Sequence, residues 1–315
     1  MMKLSVFASL GLLVVAVLAG LLAGNNQPEN ITRIIYLVRF PRTLAALLAG
    51  AAFAVSGAVI QSVLNNPLAS PGVIGLNAGA GFGVALFALL NGITHTSIFS
   101  NIRTAAFFGA IVTVFFVLML AQKTGASRTT TILSGIAISS FLTAGTNAIT
   151  SLRVELLVDI KSFQLGGISG ITLSKIFPAG YYIIAAVLIL CVFHTELSVL
   201  SLGEETAQGL GLRVNIYRFF FLLLAAVLAA SAVSFSGLIG FVGLIVPHIA
   251  RRLLKGNTLS LISGSAVIGG AFLTLCDTLS RVVFLPFEIP VGITVAFIGT
   301  PFFLRLLFRR KSFEV

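Results

Sequence analysis

Tryptophan is absent from this chain of 315 residues, and there are only two cysteines and three histidines. Charge is scarce as well: 9% of the residues carry it, and nine are acidic. A soluble globular chain has about 25% charged residues, so an aqueous domain is excluded. Without tryptophan, anchoring at a membrane–water boundary falls to tyrosine, lysine and arginine. Cys191 and Cys276 each lie inside an apolar run and read as small packing residues, with no disulfide or metal pattern. His95 and His194 stand alone. His248 follows Pro247 where an apolar run ends, with no second ligand beside it, and reads as a helix-end residue. The chain contains no Gly-Lys dipeptide and therefore no Walker A loop. No HExxH, Ser-His or paired-carboxylate arrangement falls inside an apolar run, which argues against an intramembrane enzyme. No cofactor or metal site is expected.

What remains is apolar: 57% hydrophobic residues, 27 phenylalanines and a mean hydropathy of +1.10. This composition predicts an all-α, polytopic membrane protein, because only helices or closed barrels satisfy their backbone groups in lipid. The net charge of +11 comes from basic residues scattered at the ends of apolar runs, so it reports topology and not nucleic-acid binding. Ten transmembrane helices are expected, in a single membrane domain over residues 1–315: 4–23, 44–64, 73–90, 102–121, 129–150, 176–193, 215–233, 238–250, 259–279 and 291–308. The first run exceeds the ~7–15 apolar residues of a signal peptide and is expected to be retained. The sequon Asn30-Ile31-Thr32 follows it and matters only in a glycosylating compartment.

With ten spans both termini share a side. An inside N-terminus puts most of the 20 lysines and arginines inside, including the clusters Arg251, Arg252, Lys255 and Arg309, Arg310, Lys311. Arg39, Arg42 and Arg281 then stand outside, against the trend. Asp277 lies one turn before Arg281 and is a candidate partner.

Between the sixth and seventh spans lies a polar island, residues 196–218, with Glu196, Glu204 and Glu205. Its apolar positions Leu197, Leu200, Leu202, Ala207 and Leu210 recur at helical spacing and predict a short amphipathic helix, broken by Gly209 and Gly211. The island is either a solvated connector or a surface for a partner. In the fifth span Ser139, Thr143, Thr146, Asn147 and Thr150 share one face, either as a pathway lining or as hydroxyls bonded back to their own helix. Gly75, Gly79, Gly81 and Gly83 allow tight packing or an unwound segment. Residues 151–174 alternate charge and apolar groups, as an interfacial amphipathic segment does. The stretch from Arg42 through residues 57–60 to Pro67 faintly echoes Arg218 through 237–239 to Pro247. An odd number of spans separates the two, so such repeats would be inverted in the membrane.

Four stretches carry a resemblance: RFPRTLAALLAGAAFAVSGAVIQSVLNNPLASPGVIG (39–75), LGEETAQGLGL (202–212), SGLIGFVGLIVPHIARR (236–252) and IPVGITVAFIGTPFF (289–303). In this order they resemble the FecCD family, membrane permeases of ABC importers for ferric siderophores, haem and cobalamin. The resemblance implies a permease in a bacterial cell membrane with both termini cytoplasmic. It implies a second permease copy or a sister permease, two cytoplasmic ATP-binding subunits and an extracytoplasmic substrate-binding protein. Gly203, Glu204, Ala207, Leu210 and Gly211 would couple to the ATPase. Arg39, Arg42 and Arg281 would dock the binding protein. Ser139, Thr143, Thr146 and Asn147 would line the pathway. A ferric siderophore is the expected cargo, with haem or cobalamin as alternatives. An ion-coupled secondary transporter is the rival class, disfavoured because Asp277 and Glu288 are its only candidate coupling carboxylates and both lie near span ends.

Overall fold

The computed structural model describes residues 2–23, 31–94, 101–125, 127–254, 256–283 and 285–311. Asn30 of the sequon, His95 and Lys255 lie outside the described residues. The described residues form helices without a strand: α1 (Met2–Leu22), α2 (Ile31–Ile34), α3 (Phe40–Leu64), α4 (Leu76–Thr94), α5 (Ile102–Lys123), α6 (Arg128–Leu152), α7 (Leu157–Leu165), α8 (Leu173–Val192), α9 (His194–Ser201), α10 (Glu204–Gly209), α11 (Val214–Ser236), α12 (Val242–Leu254), α13 (Thr258–Val282) and α14 (Val291–Lys311).

Six of these are long and apolar enough to cross a membrane: the continuous run Thr32–Leu64, in which a π-helical turn joins α2 to α3, and α5, α6, α8, α11 and α13. Shorter apolar helices run Phe7–Leu22, Leu76–Asn91 and Val291–Arg305. The expected eighth span is the exception. Its helix, α12, has 13 residues, or about 20 Å of rise, short of the ~30 Å hydrocarbon core. It is led in by non-helical residues 237–241, where Gly237 and Phe241 take positive φ of 68° and 62°. Non-helical backbone at membrane depth must find its hydrogen bonds within protein. Here the Leu238 N–H donates to the Phe163 carbonyl (3.1 Å) and the Gly167 N–H to Ser236 (2.7 Å).

Stops and starts follow local chemistry. Asn65 ends α3 in a left-handed conformation (φ 48°) ahead of two prolines. Asn101, with Thr104, forms a capping box on α5, and Ser127 and Asn257 cap α6 and α13.

The core is built around α3 and α11. Small residues let α3 touch its neighbours through backbone: a methyl group on Gly50 would overlap the Gly269 carbonyl of α13, and one on Gly57 the Gly243 carbonyl of α12. On the other side Gly79 and Gly83 of α4 press against α5 at Gly109 and Ala105 and serve packing, whereas Gly75 takes a positive φ of 84° in the non-helical turn before α4 and Gly81 faces open space. Outward faces are apolar, with Phe7, Phe116, Tyr181, Val192 and Phe297 each more than half exposed. That inversion of the soluble pattern suits lipid or a partner helix. Segment 151–174 forms a 3-10 turn, Val154–Leu156, and then α7, which buries Ile160 and exposes Val158.

Candidate functional site

Three constellations stand out: one at the end carrying α10, one along α6, and one at the end carrying α7.

At the α10 end the polar island makes two helices, where one was predicted. Gly203 takes φ 119°, a conformation open to glycine, and splits α9 from α10. The break rotates the pattern. Leu197, Leu200 and Ala207 are buried, whereas Leu202 and Leu210 are 61% and 64% exposed. Glu205, Thr206, Gln208 and Gly211 are exposed beside them. Glu204 turns inward and accepts a hydrogen bond from Arg218 Nη2 of α11 (2.8 Å). Ala207 seats α10 from beneath. Of the residues expected to couple, Gly203, Leu210 and Gly211 thus shape or present the surface, while Glu204 and Ala207 fasten it. Arg218 is the residue sequence reasoning missed. Its signal was a lone charge entering an apolar span.

Along α6 Ser139, Thr143, Thr146 and Asn147 line one groove of about 410 Å³, together with Gly72, Asn77, Gln164 and Leu238. Thr146 and Thr150 donate back to the Leu142 and Thr146 carbonyls of their own helix. Among the described residues the side chains of Ser139, Thr143 and Asn147 bond to no protein group; Thr143 and Asn147 are exposed and Ser139 half-buried along the groove. The hydroxyl face therefore divides: Thr146 and Thr150 bond back to their own helix, whereas Ser139, Thr143 and Asn147 do not. Leu238 belongs to the non-helical lead-in of α12, and Gln164 to α7. Polarity alone could have singled out Asn77 and Gln164; Leu238 carries no signal in sequence.

At the α7 end Arg39, Arg42 and Arg281 come together, but each is turned into the protein, at most 5% exposed. Arg42 Nε donates to both carboxylate oxygens of Asp277 (3.0 and 3.1 Å), and its Nη1 to Glu288 (2.7 Å). Arg281 lies 3.3 Å from Asp277, so the pair expected from spacing forms, with Arg42 added to it. Arg39 and Arg281 also cap the C-terminal carbonyls of α1: Leu21 and Leu22 accept from Arg39, and Gly20 from Arg281. Surface cations are thus not what these arginines are here, because buried Asp277 and the end of α1 hold them. Glu288, 43% exposed at its side chain, is the open member, and it also accepts from the Ser169 hydroxyl (3.3 Å). Burial pushes the Glu288 carboxyl up, but its hydrogen bond to Arg42 and the Arg42 charge outweigh this and hold it below the usual carboxylate range. No group of three or more metal-ligating side chains occurs among the described residues, and His248, expected at a helix end, sits in the middle of α12 against Phe302, because the helix runs on through Pro247 to Leu254.

The chain has relatives among known proteins. The FecCD transport family matches residues 2–309. An Fe(3+)-citrate import system permease protein of Bacillus subtilis, YfmD, is 38% identical over 282 residues, covering 89% of this chain and 83% of that protein. The cobalamin import system permease protein BtuC of Halobacterium salinarum is 36% identical, covering 90% of this chain and 76% of that one. A solved metal-chelate type ABC transporter in an inward-facing conformation superposes with a TM-score of 0.85 at 30% identity, covering 98% of this chain and 99% of that one. A multi-pass arrangement of apolar helices, a polar groove among them and a family match across nearly the whole length lead to one conclusion: the chain is a transport permease and belongs to the FecCD family.

Proposed function

We propose that this chain is the membrane permease of an ABC importer for an iron chelate, driven by ATP-binding subunits docked on α9 and α10 at a cytoplasmic α10 end. The observation that carries this reading is the Glu204–Arg218 pair. It fastens an otherwise exposed helix to α11, a central helix of the bundle, so that displacement of α10 tilts a span. Gly203 and Gly211 set the turns, Leu210 is the apolar contact, and Ala207 is the seat. The groove along Ser139, Thr143, Thr146 and Asn147 suits a bulky polar cargo held weakly, as passage requires.

The α7 end receives the extracytoplasmic binding protein. Arg39, Arg42 and Arg281 form the rigid base of that surface and reach a partner's carboxylates only by exchanging them for Asp277 and Glu288. A second permease, identical or sister, completes the pathway against α6, whose outward face is the most open among the long spans. Iron citrate and cobalamin import among relatives places the cargo class with metal chelates, and iron chelates lead because more of the named relatives handle them.

Reconstitution tests the reading. Vesicles holding the permease, ATP-binding subunits and binding protein should import ferric chelate with hydrolysable ATP and be indifferent to ionophore. Import by the permease alone, or its collapse with ionophore, would sink the assignment. Replacing Gly211 with Val should leave hydrolysis running while uptake falls.

A further inference from the structure

A second polar cleft, of about 440 Å³, opens at the α10 end between α3, α12, α13 and the end of α9. It shares no lining residue with the groove along α6. Its lining includes Asn65, Asn66, Ser201, Arg251, Asn257 and Thr258.

Arg251 is fixed over this cleft by a break in α12. Pro247 has no N–H, so the Gly243 carbonyl four residues earlier loses its helical donor. Gln61 of α3 supplies one: its Nε2 donates to the Gly243 carbonyl at 3.0 Å. That orients the other end of the amide, and Gln61 Oε1 accepts from Arg251 Nη1 at 2.5 Å. Ser62 Oγ accepts from Nη2 at 3.4 Å. Both partners are neutral, and no ion pair among the described residues includes Arg251. A half-buried guanidinium ordinarily faces a carboxylate or phosphate.

The rest of the lining has the same bias. Asn66 Oδ1 already accepts from the Leu68 N–H (2.9 Å), and Asn257 Oδ1 from Ser260 (3.0 Å). Their Nδ2 groups bond to no protein group among the described residues and are left as donors. The first turn of α13 opens on the same space and adds its positive end. Among the described lining residues there is one cation and no acid; the carbonyl ends of α3, α9 and α12 also border the space, and the Arg251 charge with the free amide donors beside it suits an anionic ligand made of acceptors.

We propose that this cleft binds a phosphate group, with Arg251 as its anion-binding side chain. The volume exceeds what one inorganic phosphate fills and lies within the ~300–1,000 Å³ range of ligand pockets. A phosphate ester with a hydroxyl-bearing headgroup, such as an anionic lipid carries, is a ligand of that charge and size.

The test is calorimetric titration of the full chain in detergent with three probes: short-chain phosphatidylglycerol, inorganic phosphate and short-chain phosphatidylcholine. Phosphatidylglycerol should bind, and Arg251→Gln should weaken it about tenfold or more. Asn66→Asp keeps the acceptor for the Leu68 N–H but places a carboxylate in the cleft, and should abolish binding without disturbing the fold. Arg252→Gln, which removes an exposed neighbouring charge, should change affinity by no more than about twofold. Inorganic phosphate binding with the same variant dependence, unmatched by the lipid, would assign the site to the free ion. Phosphatidylcholine binding as tightly as phosphatidylglycerol, affinity unchanged in both Arg251→Gln and Asn66→Asp, or no binding by any probe overturns the proposal.

Discussion

Asp277 is fully buried and faces two guanidiniums, Arg42 and Arg281, which are themselves buried. Removing one member of such a group leaves uncompensated charge, at a cost of about 3–5 kcal/mol. Asp277→Asn should therefore lower thermal stability sharply in detergent, read by the loss of monodisperse protein on heating. Glu288→Gln, at the open edge of the cluster, should cost far less. Glu288 also gives the cluster a pH dependence of known sign. Its carboxyl is held below the ordinary range, so its tie to Arg42 is complete above the unfolded carboxylate pKa and is lost as pH falls through the depressed value. Amide exchange in residues 285–290 should quicken in that acid window, and Glu288→Gln should remove the dependence.

At the scale of elements, α10 is six residues long and cannot hold itself as a helix. Its place is set by Ala207 beneath it and by Glu204 reaching α11. Reversing either charge, Glu204→Arg or Arg218→Glu, should cut ATP-driven uptake strongly in vesicles. The double reversal should recover part of it if, as proposed, the pair transmits movement; failure of the double variant to exceed both singles would discard this role. The half-length α12 follows the same logic from the other side. Its non-helical lead-in survives because Phe163 and Gly167 meet its backbone, which ties the wall of the groove to α7.

For the molecule as a whole, the pathway reading rests on which face of α6 meets water. Cysteines introduced at Thr143 or Asn147, in a background without Cys191 and Cys276, should react with water-soluble thiol reagents in the assembled transporter. Inertness in every nucleotide state would make the groove a packing seam. Arg42 and Arg218 also stand in matching places: each opens a buried span, at opposite ends of the bundle, and each meets an acid brought from elsewhere in the chain.

Composition and periodicity alone settled the class, an all-α membrane protein, and marked out the polar island between two apolar runs, because each depends on runs of neighbouring residues. The pairing of Asp277 with Arg281 was legible for the same reason: four residues of helix bring them together. Arg42 with Asp277, Glu204 with Arg218 and Gln61 with Gly243 were not, since helix packing chooses partners far apart in the chain. The inward turn of Arg39, Arg42 and Arg281 belongs with these. An arginine at the end of a span looks like a surface charge until the fold brings a buried carboxylate and the bare carbonyls of another helix within reach. The exposure of Leu202 and Leu210 was likewise decided in three dimensions, where one glycine with positive φ rotated a helical stripe that the sequence draws as continuous.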